Sequence, residues 1–272
     1  MSERFTFGMN VDNYSPDDIC PGWEFIEIPC GLHLDPFVSA KAYQTRRDFY
    51  LRKDIPPIKA ASHFLQGYGL SPVTVEPYDE EHLNFGMRRS FQRMAELKVP
   101  VIGVYGGFFA VPEESMRSKA RTRTLEVLNR IADLSKEFGV QVAIEPMAKA
   151  ETIFPSYTAG LEIMKELGRP EIQIMADLNY FLRIQEPLED ILKSPEDCLH
   201  VHIQGDGGAQ PNVGDRSVIL KNLFSILKEA NYSKGISVAC PWKPTISSEL
   251  DIRKETQITL DFLKKIRDQV YG

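Results

Sequence analysis

No stretch of the sequence is apolar for long enough to cross a bilayer. The most apolar window, Val99 to Pro112, is broken by three glycines and bounded by prolines, and it falls short of the roughly 20 residues a spanning helix needs. The leading MSERFTFGMN has no apolar core of the kind a secretory signal carries, so a cytoplasmic location is expected. Cysteine is scarce. Cys20, Cys30, Cys198 and Cys240 form no C-x-x-C pair, and the 272-residue chain is too long for a disulfide scaffold, so reduced thiols are expected. A basic run is missing too. The 32 Lys and Arg stand against 38 Asp and Glu, for a net charge of −6, a poor match to nucleic acid or an anionic membrane. Small molecules and metal ions are the expected partners. Neither G-x-G-x-x-G nor G-x-x-x-x-G-K occurs, which removes the common dinucleotide and nucleotide phosphate loops.

What is present is ordinary globular composition, 43% hydrophobic and 26% charged, which excludes a disordered chain. Eight β-rich runs recur: Phe5 to Met9, Glu24 to Pro29, Ile58 to Phe64, Val99 to Tyr105, Val140 to Glu145, Glu171 to Asp177, Cys198 to Ile203 and Gly235 to Cys240. Several, such as VIGVY and VAI, are continuously apolar, the mark of strands buried on both faces. Helical patterns lie between them. Leu125, Leu128, Ala132 and Phe138 share a face that stops at Gly139; Met87, Phe91, Met94 and Ala95 share another; Phe262, Leu263, Ile266 and Val270 line the last helix, for which Ser248 and Asp251 resemble a capping box. The faintest helices are expected at Tyr14 to Pro21 and Glu186 to Lys193. Strand and helix alternating eight times, with no repeat, linker or composition shift, predicts one α/β domain over residues 1–272, a (β/α)8 TIM barrel. A doubly wound open sheet is the rival, disfavoured by the missing glycine fingerprint.

In such a barrel the chemistry collects at the C-terminal ends of the strands. Strand five ends in Glu145, strand six in Asp177, strand seven carries His202 and strand eight ends in Cys240, each about one βα unit from the last. Two carboxylates with an imidazole suit a divalent ion such as Mn²⁺, Co²⁺ or Zn²⁺. An acid at a strand end can equally cap the following helix. His200 shares the His202 face two residues deeper and reads as structural. Gly106 and Gly107 permit close backbone approach, and Phe108 and Phe109 either wall a substrate or pack under a helix. The loop from Gln204 to Asp215 lies on the same rim. Trp242 either stacks on a sugar or seals the barrel.

The stretches VAIEPMAKAET, IMADLNYF, HVHIQGDGGAQPNVGD and YSKGISVAC resemble the xylose isomerase-like sugar phosphate isomerase/epimerase superfamily. The nearest look is to its ketose 3-epimerase and hydroxypyruvate isomerase branch. GWEFIEIP, IKAASHF and VPVIGVYGG fit the earlier strands more loosely. The resemblance implies a divalent metal (Mn, Co, Zn or Mg) held by Glu145, Asp177 and His202, with Glu145 in acid/base work. It further implies Glu151 near the substrate, His63 holding the sugar and Glu27 as an inward acid. Many relatives form dimers or tetramers, so a homo-oligomer is expected.

The sequence departs from that pattern. Cys240 stands where the family's last Glu, a ligand and second proton carrier, belongs. Tyr180 replaces a His, Gly205 an acid, Gly208 an Arg, and Ala148 and Lys149 an Asn-Arg pair, while Pro211 and Gly214 are kept. Cys240 either works as a thiol acid/base or fills the space of a lost ligand. The functions these residues point to are a metal-dependent sugar or keto-acid isomerase or epimerase, a dehydratase or lyase on the same metal, and a sugar-binding protein without catalysis. The related apurinic endonuclease needs more His than the five here and DNA-facing basic groups.

Overall fold

The computed structural model describes residues 4–11, 18, 20–66 and 72–272. Eight strands, β1 (Thr6–Asn10), β2 (Phe25–Pro29), β3 (Ile58–Phe64), β4 (Val101–Tyr105), β5 (Gln141–Glu145), β6 (Ile172–Asp177), β7 (Cys198–Ile203) and β8 (Gly235–Val238), close into a barrel in sequence order. Every neighbouring pair is parallel, including β1 with β8. Parallel neighbours need crossovers, and helices supply them. They are the single turn α1 (Cys30–His33), then α2 (Ala40–Tyr50), α3 (Glu80–Glu96), α4 (Arg117–Phe138), α5 (Tyr157–Leu167), α6 (Leu178–Ile184), α7 (Ser217–Glu229) and α8 (Ile252–Tyr271).

The continuous apolarity of the strands follows from burial on both sides. β2 and β7 are buried at every position. Outward-facing Val142, Ile144, Val201 and Ile203 meet the buried stripes of the helices, such as Leu128, Ile131 and Ala132 of α4, and Leu220, Leu223 and Phe224 of α7. Phe5, Phe7 and Phe224 pack at ring distances of 5.0–5.7 Å. Each such side chain, fully buried, is worth about 1.5–3 kcal/mol. Inside the barrel, Ala143 and Met175, each two residues before a strand-end carboxylate, form a small separate apolar cluster with Leu199. They close the floor below the rim.

Side chains start many of the helices: Ser39, Asp79, Ser156, Asp177 and Asp251 accept from the third backbone N–H onward in α2, α3, α5, α6 and α8. α4 stops at Gly139 in the left-handed conformation (φ 69°), as the sequence predicts. Three expectations change. The helix expected at Glu186 to Lys193 is α6, which starts directly after β6 because Asp177 caps it, and ends at Gln185, itself left-handed, before Pro187; only a 3₁₀ turn spans Leu188–Lys193. The cap of α8 is Asp251 rather than a box begun by Ser248. β8 ends at Val238, so Cys240 lies beyond the strand. The helix expected at Tyr14 to Pro21 falls largely outside the described residues. Among those described, no helix is long and apolar enough to cross a membrane.

Candidate metal centre at the barrel rim

Lateral register sets the site. Tyr105 pairs with Glu145 across β4 and β5, Asp177 with His202 across β6 and β7, His202 with Ser237 across β7 and β8, and Asn10 with Glu27 across β1 and β2. Residues far apart in the chain thus reach one end of the barrel. Glu145, Asp177 and His202 are 2%, 4% and 2% exposed, and their ligand-type atoms lie within 4.8 Å of one another. His202 Nδ1 stands 3.5 Å from Glu145 Oε1 and 3.7 Å from Asp177 Oδ2.

These gaps are too long for good hydrogen bonds. They are close to the spacing of two donors around one ion, since ligands bound at about 2.1 Å in a tetrahedral arrangement stand about 3.4 Å apart. Glu145 Oε2 is buried with no hydrogen-bond partner, an unmet demand for positive charge or a donor. Asp177 does two jobs with its two oxygens. Oδ1 accepts from Tyr180 N at 3.2 Å and caps α6, while Oδ2 faces His202 and accepts from Gln204 Nε2 at 3.4 Å. The helix-cap and ligand readings of this acid are therefore compatible. A donor set of two carboxylates and one imidazole, with an orphaned oxygen among them, fits a divalent ion.

Electrostatics agree. Burial, reinforced by the nearby Glu145 charge, raises Asp177 above the usual carboxylate range. Burial also opposes charge on His202, but Glu27, with Asp177 and Glu145, outweighs it and holds the imidazole well above its ordinary value. The phenols of Tyr105 and Tyr180 are pushed up by burial and then by the Glu145 charge. Negative charge is thus concentrated at the mouth of the barrel, where a cation relieves it.

Around this cluster the other expected residues take separate places. His63, half-buried and in the left-handed region (φ 56°), lies 5.6 Å from the Tyr105 ring, which is 5.9 Å from Phe108. The three form an aromatic wall beside Glu145. Phe109 is fully buried against Phe154, so of the two phenylalanines only Phe108 faces this wall. Glu151 is exposed on the loop after β5. Trp242 is 4% exposed and packs with the main core. Cys240 is half-buried against that core, and among the described residues it does not join the Glu145–Asp177–His202 group. Gly205 packs so closely that a Cβ would collide with the carbonyl oxygens of Gln210 and Val213. The acid usual at that position has no room in this loop.

Behind the rim lies a network the sequence did not expose. Glu27, fully buried, accepts from His200 Nε2 at 2.7 Å, from His202 Nε2 at 2.9 Å and from Asn10 Nδ2 at 3.0 Å. Asn10 Nδ2 also donates to Ser62 Oγ, and His200 Nε2 lies 2.9 Å from Ser237 Oγ. His200, two residues deeper on β7 than His202, has Glu27 and Ser237 at its Nε2. Glu27, expected as an inward acid, is shut beneath the site. The one available signal was strand alternation, which turns Glu27 and Asn10 inward but does not say which strands face each other.

Comparisons with known proteins agree with this architecture. The model of the xylose isomerase-like TIM barrel family matches residues 42–266. An inosose isomerase of Halalkalibacterium halodurans is 23% identical over 165 residues, 56% of this chain and 58% of that relative. An uncharacterized protein of Methanocaldococcus jannaschii is 28% identical over 123 residues, 44% of this chain and 47% of its own. The chain thus aligns with about half the length of these relatives. Among solved structures, a D-psicose 3-epimerase crystallised in the presence of D-fructose superposes with a TM-score of 0.77 at 15% identity, covering 97% of this chain and 99% of its own. A 3-keto-D-glucoside 4-epimerase from E. coli gives 0.73 at 17% identity, covering 96% and 100%. At such identities the structural likeness speaks for the fold alone. With the family model spanning most of the barrel and the strand-end carboxylates and histidine in place, the chain belongs to the xylose isomerase-like TIM barrel family.

Proposed function

We propose that Glu145, Asp177 and His202 hold a divalent metal ion and that the protein is an isomerase or epimerase moving a proton next to the carbonyl of a sugar, a cyclic polyol ketone or a keto acid. The observation that carries this reading is the buried, unpartnered Glu145 Oε2 within a group of two carboxylates and an imidazole. The relatives named for inosose and for ketoses support the substrate class. When bound, the ion polarises the carbonyl and hydroxyl oxygens of the substrate, which lowers the barrier to removing the neighbouring proton. Asp177 and His202 fix its position, each oriented by a second contact, to Tyr180 N and to Glu27 respectively. Glu145 takes the proton with whichever carboxylate oxygen the ion leaves unoccupied. His63, beside the Tyr105 ring, and Glu151, on the loop after β5, bind substrate hydroxyls, and Trp242 closes the rim near Cys240. A cytoplasmic location and a homo-oligomeric state complete the proposal.

Cys240 occupies the place of the second proton carrier. A second reading, a site that binds but turns over slowly, is favoured by one observation: the thiol stands outside the ligand group. Cys240→Glu separates the two when ketose epimerisation is assayed with added Mn²⁺ or Co²⁺. A gain in turnover identifies an incomplete acid/base pair. Ordinary enzymatic rates in the unsubstituted protein, with no gain in the variant, make Cys240 a working group.

A further inference from the structure

We propose that Glu27 is a positioning residue for the metal centre: it fixes the His202 imidazole with its proton on Nε2 and so presents Nδ1 to the ion. The proposal rests on the metal reading above. Two groups of ligand-type side chains share His202: Glu145 with Asp177 on one side, Glu27 with His200 on the other. They differ in one respect. The first has long gaps and an orphaned carboxylate oxygen. The second is closed on itself, with contacts of 2.7–3.1 Å from both rings to the Glu27 carboxylate. An ion there would have to displace every one of those hydrogen bonds, whereas an ion in the first group meets only the long 3.4 Å contact from Gln204 Nε2 to Asp177 Oδ2.

The chemistry of the acceptor sets the tautomer. An ionised carboxylate has lone pairs and no proton. A ring nitrogen 2.9 Å from one Glu27 oxygen and 3.1 Å from the other must therefore be the donor. With Nε2 protonated, the neutral imidazole of His202 keeps its lone pair on Nδ1, the atom that faces Glu145 and Asp177. Glu27 is itself locked. It is 0% exposed, Asn10 Nδ2 and His200 Nε2 hold its two oxygens from either side, and Ser62 Oγ and Ser237 Oγ take the next positions outward. The β1–β2 register sets Asn10 beside Glu27, and the β7–β8 register sets Ser237 beside His202. A carboxylate behind a ligating imidazole orients the ring and makes it a stronger donor, and losing such a partner typically weakens metal binding about 10–100-fold.

The test is competition of Zn²⁺ between the full-length protein and a chelating indicator. Glu27→Gln is expected to bind Zn²⁺ about 10–100-fold more weakly than wild type, because its amide presents a donor to a ring nitrogen that is already a donor. His200→Gln disturbs the same buried network and gives up an edge-on contact with the His202 ring at 5.4 Å, but it leaves the hydrogen bond from His202 Nε2 to Glu27 in place, and it is expected to stay within about threefold of wild type. Equal affinity of Glu27→Gln and wild type overturns the proposal, as does an equal loss in both variants, which would make the network merely structural. Should Glu27→Gln not fold, long-range ¹H–¹⁵N spectra of histidine in the Zn²⁺-loaded wild type decide: a protonated Nε2 and a metal-shifted Nδ1 on His202 support it, and the reverse attachment overturns it. Asp177→Ala, run alongside, tests the metal reading itself; undiminished Zn²⁺ binding by that variant sinks the site and leaves the tautomer result to stand separately.

Discussion

Replacing Asp177 by Asn should separate its two jobs. Its Oδ1 caps α6 through Tyr180 N, and its Oδ2 faces His202 Nδ1 at 3.7 Å. Asn caps a helix about as well as Asp, whereas Ala forfeits about 1 kcal/mol. Without metal, then, Asp177→Asn should unfold at nearly the wild-type temperature, and the loss of a buried charge crowded by Glu145 adds stability rather than removing it. Asp177→Ala should lose about 1 kcal/mol. With Zn²⁺ at about 100 times the wild-type Kd, binding adds about 2.7 kcal/mol to the folded state, which in a chain of this size raises Tm by roughly 5 °C or somewhat more. Both variants should lose most of that rise. Thermal unfolding followed by circular dichroism, with and without Zn²⁺, reads all of these numbers. An Asp177→Asn protein that gains as much from Zn²⁺ as wild type does would refute the ligand assignment, and one that loses stability without metal as Ala does would refute the division of labour between the two oxygens.

Two further predictions concern protons. His202 is held well above its ordinary pKa by Glu27, Asp177 and Glu145 against the effect of burial, so without metal it keeps its second proton to higher pH than a free histidine, and Zn²⁺ uptake must expel that proton from Nδ1. Calorimetry in buffers of different ionisation heat should show about one proton released near pH 7; none released would contradict the assignment. His33, half-buried after β2, is pushed down to about 4, first by burial, with Tyr50 OH 2.8 Å from its Nδ1 and Val11 O 3.3 Å from its Nε2. The unfolded chain takes up this proton below about pH 6.5 and the folded chain only near pH 4, so stability is intact above the first value and falls between the two, by no more than about 3 kcal/mol. Urea unfolding of wild type and His33→Gln from pH 7 to 4 should show the variant with the flatter profile; parallel profiles would exclude His33 as the cause.

The strands were readable because burial on both faces leaves an unbroken apolar record, as in VIGVY. Helix ends were harder. α6 begins on a side-chain cap from Asp177 and stops at a left-handed Gln185, and neither event leaves a strong local mark, so the helix reads one segment too late. Glu145, Asp177 and His202 were legible since each ends or nearly ends a strand, and the barrel gathers strand ends. The network of Glu27, Asn10, Ser62, His200 and Ser237 was not. It depends on which residue of one strand stands beside which residue of the next, and that register arises from closure of the whole barrel. Gly205 is similar: the sequence shows a missing acid, and only the folded loop shows that carbonyl oxygens fill its place.

The central claim is that the rim cluster binds a metal ion, and anomalous diffraction from crystals grown with Zn²⁺ tests it most directly. One strong peak is expected, with Glu145, Asp177 and the Nδ1 atom of His202 at about 2.0–2.2 Å. A peak seated instead between Glu27 and His200, or a rim without any peak while the ion occupies other sites, would contradict it.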